Sequence, residues 1–126
     1  MREVISTDRG PKAIGPYSQA IESRGFVYTA GQVGLDPATT KLVAGGIGPE
    51  TERDFENLGA VLGEAGLDFT DVVKTTVFLT TMANFQAMNA IYAARFGEHR
   101  PARSTVAVAE LPAGALVEID VVARTR

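Results

Sequence analysis

The run DVVKTTVFLT, residues 71–80, is dominated by β-branched residues with few charges. That composition suits a strand buried inside a sheet. What surrounds it decides the fold. On its N-terminal side, Phe55, Leu58, Leu62 and Ala65 recur at helical spacing with Val61 adjoining, while Glu52, Arg53, Glu56 and Glu64 fall mostly elsewhere. Pro49 suits the first position of that helix, because its missing N–H costs nothing there, and Gly66 suits the stop. On its C-terminal side a second helix is expected over 83–96, capped by Thr81, with Phe85, Met88, Tyr92 and Phe96 as its apolar stripe.

Further out, Glu3 to Ser6 reads as a short edge strand, and GPKAIGPYSQAI (10–21) as an ordered loop. RGFVYTAGQVGL (24–35) reads as one strand, and DPATTKLV (36–43) as a turn with a returning strand. ARSTVAVAEL (102–111) and ALVEIDVVAR (115–124) are two strands expected to form a hairpin through PAGA. The order is βββαβαββ. It predicts an α/β (α+β) two-layer sandwich, a six-stranded mixed sheet with two helices on one face, in a single domain over 1–126. A chain this short has no second helical layer for the other sheet face, so association through the sheet is expected.

Composition excludes much. Of 126 residues, 45% are hydrophobic and 21% charged, with a net charge of −3, which counts against a dedicated nucleic-acid binder. With no cysteine there are no disulfides, thiolate metal sites or thiol nucleophiles, and a single histidine makes a transition-metal site improbable. Glu3, Asp8 and Arg9 follow Met1-Arg2 in place of an apolar leader, and no run approaches membrane-spanning length; the cytoplasm is the expected compartment, with no membrane partner. No G-x-S-x-G, phosphate loop or dinucleotide fingerprint is present, and GGIGPE (45–50) lacks the lysine that a phosphate loop needs.

The candidates are polar residues where apolar ones were expected. Arg103 leads a strand that otherwise reads as small and buried. Taken alone, such an arginine is ordinarily a solvated surface residue; otherwise it stands at a pocket rim and grips a carboxylate with two parallel hydrogen bonds. In LVEIDVVA, residues Val117, Ile119, Val121 and Ala123 face one side, and Leu116, Glu118, Asp120 and Val122 the other. That second face is either half-solvated, or it holds Glu118 in an interface where it polarises a water. Tyr17 is either a core aromatic or a hydroxyl aimed into a pocket. Asn89, on or beside the stripe of the second helix, reads as a core residue satisfying a loop backbone. The lone His99 reads as a solvated loop residue and is left out of the site.

AIGPYSQAI, YTAGQVGLDP, NLGAVLGEAGLDFTDVVKTTVFL, MNAIYAARF and RPARSTVAVAELPAGALVEI follow, in order and spacing, a pattern that resembles the Rid/YjgF family of reactive-intermediate deaminases, also known as L-PSP endoribonucleases. The resemblance covers essentially the whole chain. It implies a chorismate-mutase-like fold, a homotrimer with sites between subunits, and hydrolysis of 2-imino acids to 2-keto acids and ammonia with no cofactor and no metal. It assigns Arg103 to the substrate carboxylate and Glu118 to the attacking water, which overturns the surface reading of Arg103. It implies that Tyr17 lines the pocket, Gly31 offers its N–H, Thr105 its carbonyl, and Asn89 lies near the cleft. Two departures stand out. Ala30 occupies a position that is often serine, removing a hydroxyl whose loss is worth about 1 kcal/mol, and Thr105 one that can be cysteine.

Two other function classes remain open on the sequence. A carboxylate-binding regulator or chaperone-like module would need Arg103 but not Glu118. A ribonuclease would sit poorly with the acidic charge and the absence of a basic-aromatic strip.

Overall fold

The computed structural model describes residues 2–126. Seven strands and two helices run in the order β1 (Arg2–Ile5), β2 (Ala20–Ser23), β3 (Phe26–Thr29), β4 (Gln32–Val33), α1 (Ile47–Glu64), β5 (Val72–Leu79), α2 (Phe85–Phe96), β6 (Ala102–Ala107) and β7 (Val117–Arg124). They make one sheet in the order β1-β2-β3-β7-β5-β6, with β4 also on β7. Only β5 and β6 pair in parallel, on either side of α2 in the chain; every other pairing is antiparallel. The expected two-layer class with a mixed sheet holds. No helix among the described residues is long and apolar enough to cross a membrane.

Several details differ from expectation, among them the division of the single strand read over 24–35 into β3 and β4. The sheet has seven strands, not six. Ala20–Ser23, whose first two residues fall in the expected 10–21 loop and whose last two the sequence assigns to no element, is β2 and pairs with both β1 and β3. The returning strand after Asp36 is reduced to one bridge, Leu35 to Leu42. The hairpin does not form, because β5 lies between β6 and β7, and Pro112–Gly114 is a 3-10 turn on a longer connection. Helix α1 also begins two residues before Pro49, and its end is sealed by Gly66 at φ +76°, a left-handed backbone that glycine adopts freely.

The interior lies between the helices and one sheet face. Phe55, Leu58, Val61 and Leu62 of α1 and Met88, Tyr92 and Phe96 of α2 pack on Val72, Val77 and Leu79 of β5 and Val117, Ile119, Val121 and Ala123 of β7. Side chains alternate along β7 as the sequence predicts, so Glu118, Asp120 and Val122 are partly exposed on the opposite face. Strand β6, read as buried, is largely exposed. It is the last strand of the sheet, and no second layer of this chain covers it.

Thr29 ends β3 at an irregularity that shapes the site. Tyr28 pairs with Val122 and Gln32 with Ile119, so four steps along one edge match three along the other. One extra residue is accommodated at Ala30–Gly31, a β-bulge. The Thr29 hydroxyl bridges the gap, accepting from the Val121 N–H at 3.0 Å.

Helix α1 also buries polar groups on which the sequence reading is silent. Glu50 accepts the Leu116 N–H at 2.8 Å, and the Asn57 amide donates to the carbonyls of Val33 and Leu35. Asp54 is fully buried with no hydrogen-bond partner on either oxygen. Burial, then the charges of Glu50 and Glu118, push its carboxyl well above the usual range. Below the unfolded-chain value both states hold the proton and nothing is lost. As pH rises above it, the unfolded chain ionises while the folded one resists, so stability falls up to the raised folded value. Asp54→Ala should therefore raise stability at pH 8 by about 1–3 kcal/mol. The gain should shrink as pH drops toward 4, read from urea midpoints across that range. A pH-independent gain would remove ionisation as its cause.

Candidate active site

The bulge brings backbone and carboxylate together. A Cβ built on Gly31 would lie 1.9 Å from Oε2 of Glu118 and 2.7 Å from its Cδ, so only a residue without a side chain leaves room for that carboxylate. Gly31, Glu118, Ala30 and Tyr17 line one pocket of about 490 Å³, walled otherwise by the apolar Ile14, Val33, Leu35, Pro112 and Ala113. Burial, and secondarily the charge of Asp120, raises the Glu118 carboxyl above its ordinary value. Such a group takes up a proton more readily than a solvated carboxylate, which suits it to act as a base. Tyr17 is half exposed on the pocket wall and not a core aromatic. Its loop is held from beneath by Gln19, whose side chain accepts the Thr7 N–H and donates to the carbonyls of Thr7 and Pro11.

Arg103 sits elsewhere. Its register partner across β5 is Thr75, which faces the helices, whereas Glu118 is paired with Phe78 on the other sheet face. Arg103 and Asn89 share a second pocket of about 520 Å³ with Tyr92, Ala93, Arg100 and Pro101. Asn89 does not satisfy a loop backbone; its Oδ1 accepts from Nη1 of Arg103 at 2.6 Å. None of the ion pairs among the described residues includes Arg103. Its remaining N–H groups are therefore available to a planar acceptor such as a carboxylate.

Thr105 lines neither pocket. It is registered with Val77 on the helix-facing side, and its hydroxyl is buried without a partner. His99 is not simply solvated: a ring nitrogen lies 2.6 Å from the Val72 carbonyl oxygen, fastening the α2–β6 loop to β5. Among the described residues no cluster of three or more His, Cys, Asp or Glu could hold a metal.

One chain thus carries two separate pockets of complementary character. The first has a carboxylate of raised basicity in an apolar pocket, and the second a guanidinium with donors to spare. Sequence reasoning missed the apolar walls at Ile14, Leu35 and Pro112, and the aromatic neighbours of Arg103. A tyrosine within the apolar stripe of α2 was the available signal, since a buried hydroxyl needs a partner.

A family model described as Endoribonuclease L-PSP matches residues 7–125. The 2-iminobutanoate/2-iminopropanoate deaminase of Mus musculus is 49% identical, over 98% of this chain and 91% of its own length. A RutC family protein of Pyrococcus horikoshii is 47% identical over 98% of both chains. The crystal structure of YyfA from Yersinia pestis, a protein of the conserved Rid family, superposes with a TM-score of 0.97 at 46% identity, covering 99% of this chain and 100% of that one. Matched along essentially its full length in sequence and in fold, the chain belongs to the Rid/YjgF family.

Proposed function

We propose that this protein is an imine deaminase, hydrolysing 2-iminobutanoate- and 2-iminopropanoate-type intermediates to 2-keto acids and ammonia. The observation that carries the reading is the complementary pair of pockets: a guanidinium with donors to spare in one and a carboxylate of raised basicity in the other. The deaminases named among its relatives add support.

An imine carbon is electrophilic, the more so when its nitrogen is protonated, so the chemistry needs little beyond orientation and one base. Arg103 holds the substrate carboxylate by two parallel N–H bonds and presents the imine carbon in a fixed attitude. Glu118 accepts a proton from a water as the water oxygen bonds to that carbon. From the protonated imine this gives a carbinolamine. Glu118 passes its proton to the nitrogen, the C–N bond breaks while the hydroxyl proton returns to Glu118, and ammonia leaves as the carbonyl forms, carrying that proton away as ammonium. Exclusion of bulk water by the apolar walls strengthens each of these contacts.

Because Arg103 and Glu118 lie on opposite faces of one sheet, a single chain does not bring them to one substrate. The proposal therefore includes a homotrimer in which each site takes Arg103 from one subunit and Glu118 from its neighbour. The uncovered sheet face, with Tyr28, Phe78, Val106 and Val122 on it, supports association. The family description also names an endoribonuclease, but a net charge of −3 offers a phosphate backbone little.

The test generates a 2-imino acid in situ with an amino-acid oxidase in the presence of semicarbazide. The protein should speed keto-acid release and lower semicarbazone formation. Arg103→Ala should be slowed at least tenfold, the scale of one lost charge-assisted contact. No acceleration, or equal acceleration by Arg103→Ala, would sink the deaminase reading. Mixing Arg103→Ala with Glu118→Gln after joint refolding should restore about a quarter of the sites if each spans two subunits. No recovery would place both residues in one subunit and remove that part of the proposal.

A further inference from the structure

A guanidinium that must meet a carboxylate edge-on needs its plane fixed, and a flexible three-carbon stem does not fix it. The structure supplies a support. The guanidinium carbon of Arg103 lies 4.5 Å from the centroid of the Tyr92 ring and 5.5 Å from that of Phe85. Stacking on a ring face satisfies the charge from one side and leaves the in-plane N–H groups free. Asn89 then occupies one of those donors and sets the rotation about the stem.

The ring is itself immobilised. Its hydroxyl lies 2.8 Å from Oγ1 of Thr75, a fully buried residue. Phe55 meets the ring edge-on at 5.8 Å, and Phe96 packs on it at 4.7 Å. Thr75 is also the residue paired with Arg103 in the β5–β6 register. The two ends of the arrangement are therefore adjacent on neighbouring strands, and Tyr92 spans between them from the helix.

We infer that Tyr92 is a positioning residue for the carboxylate clamp: its ring face sets the plane of the Arg103 guanidinium, and its hydroxyl bond to Thr75 locks that ring. The inference rests on the reading of Arg103 as the clamp. It assigns Tyr92 no contact with the substrate. Its loss is felt in carboxylate recognition, hence in KM, and not in the bond-breaking step at the far end of the substrate.

The experiment compares Tyr92→Leu, Tyr92→Phe, Thr75→Val and Arg103→Ala in the assembled protein. It measures KM and kcat for imine hydrolysis, and calorimetric Kd for 2-oxobutanoate as a carboxylate probe. Tyr92→Leu should raise KM and the probe Kd about tenfold, with kcat within twofold. Tyr92→Phe keeps the ring face and should recover most of that loss. Thr75→Val preserves core volume and should raise KM roughly threefold through the unlocked ring; it carries the test even if Tyr92→Leu fails to fold. Unchanged KM and Kd in Tyr92→Leu, or in Thr75→Val where Tyr92→Leu fails to fold, while Arg103→Ala loses binding, would overturn the inference and leave the clamp standing. An Arg103→Ala protein that still binds the probe as the parent does would overturn the clamp itself. A kcat loss in Tyr92→Leu with KM unmoved also overturns the inference, because it is what a merely structural role would give.

Discussion

Gly31→Ala should leave a folded, assembled protein with kcat/KM reduced about a hundredfold. The argument turns on which atom yields. The new methyl group would stand 1.9 Å from Oε2 of Glu118, 2.7 Å from Cδ and 3.0 Å from Cγ, all atoms of one side chain. The end of a glutamate moves cheaply, so the clash is relieved by swinging the carboxylate aside and not by displacing backbone. Gly31 is not among the positive-φ glycines, so alanine brings no backbone strain. The loss therefore falls on the position of the proposed base, and a displacement near 1 Å is enough to cost about two orders of magnitude. Keto-acid release measured alongside the urea midpoint separates the two effects. A variant with full activity would mean that the carboxylate works from another position; one that unfolds would mean that the backbone, not Glu118, takes the strain.

Phe55→Ala should remove about 3–5 kcal/mol of stability. The ring is fully buried and meets Phe69, Tyr92 and Phe96 edge-to-face at 5.6, 5.8 and 5.8 Å. Its removal forfeits the transfer free energy of a phenyl group and leaves a cavity where α1, α2 and the sheet meet, with rigid rings that collapse poorly into it. Small domains are stable by only about 5–15 kcal/mol in total, so the variant should be marginal at physiological temperature. Urea midpoints at fixed protein concentration measure it. A loss under about 1 kcal/mol would mean that the aromatic cluster repacks freely. Because Phe55 also buttresses Tyr92, the surviving folded fraction should bind carboxylates less tightly than the parent protein.

The elements legible in the sequence were those whose burial comes from their own chain. The β-branched run at 72–79 and the stripe Phe55–Leu58–Leu62 announce a strand and a helix, because period and composition record a face that the same chain covers. Strand β2 was hidden by its neighbours: GPKAIGPY reads as loop, and four residues are too few to reverse that reading. The hairpin was misjudged because adjacency in sequence says nothing about a third strand arriving between two others. Strand β6 misled in the opposite sense, since small apolar residues read alike whether their cover is this chain or another. At the site, the alternation along 116–123 puts Glu118 and Asp120 on one face without choosing between them; the family resemblance makes that choice. The contact of Arg103 with Asn89 and Tyr92 depends on the parallel β5–β6 register, which no local pattern encodes. The burial of Glu50 and Asp54 was invisible for a simpler reason: charged residues on a helix ordinarily mark its wet side.

The extra residue in the β3–β4 edge decides what stands beside Glu118. Were the strand continuous in register from Tyr28, Gln32 would fall opposite Glu118, and its amide could donate to the carboxylate and hold it ionised. The bulge advances the phase by one, so Val33 takes that place and Gln32 pairs instead with Ile119. Valine has nothing to donate, so its side chain does not offset the burial and the Asp120 charge that raise the carboxyl. A one-residue insertion has thus done what a glutamine-to-valine exchange would do, without altering either residue. What stands opposite this carboxylate is written in the counting of the strand, where no single position records it.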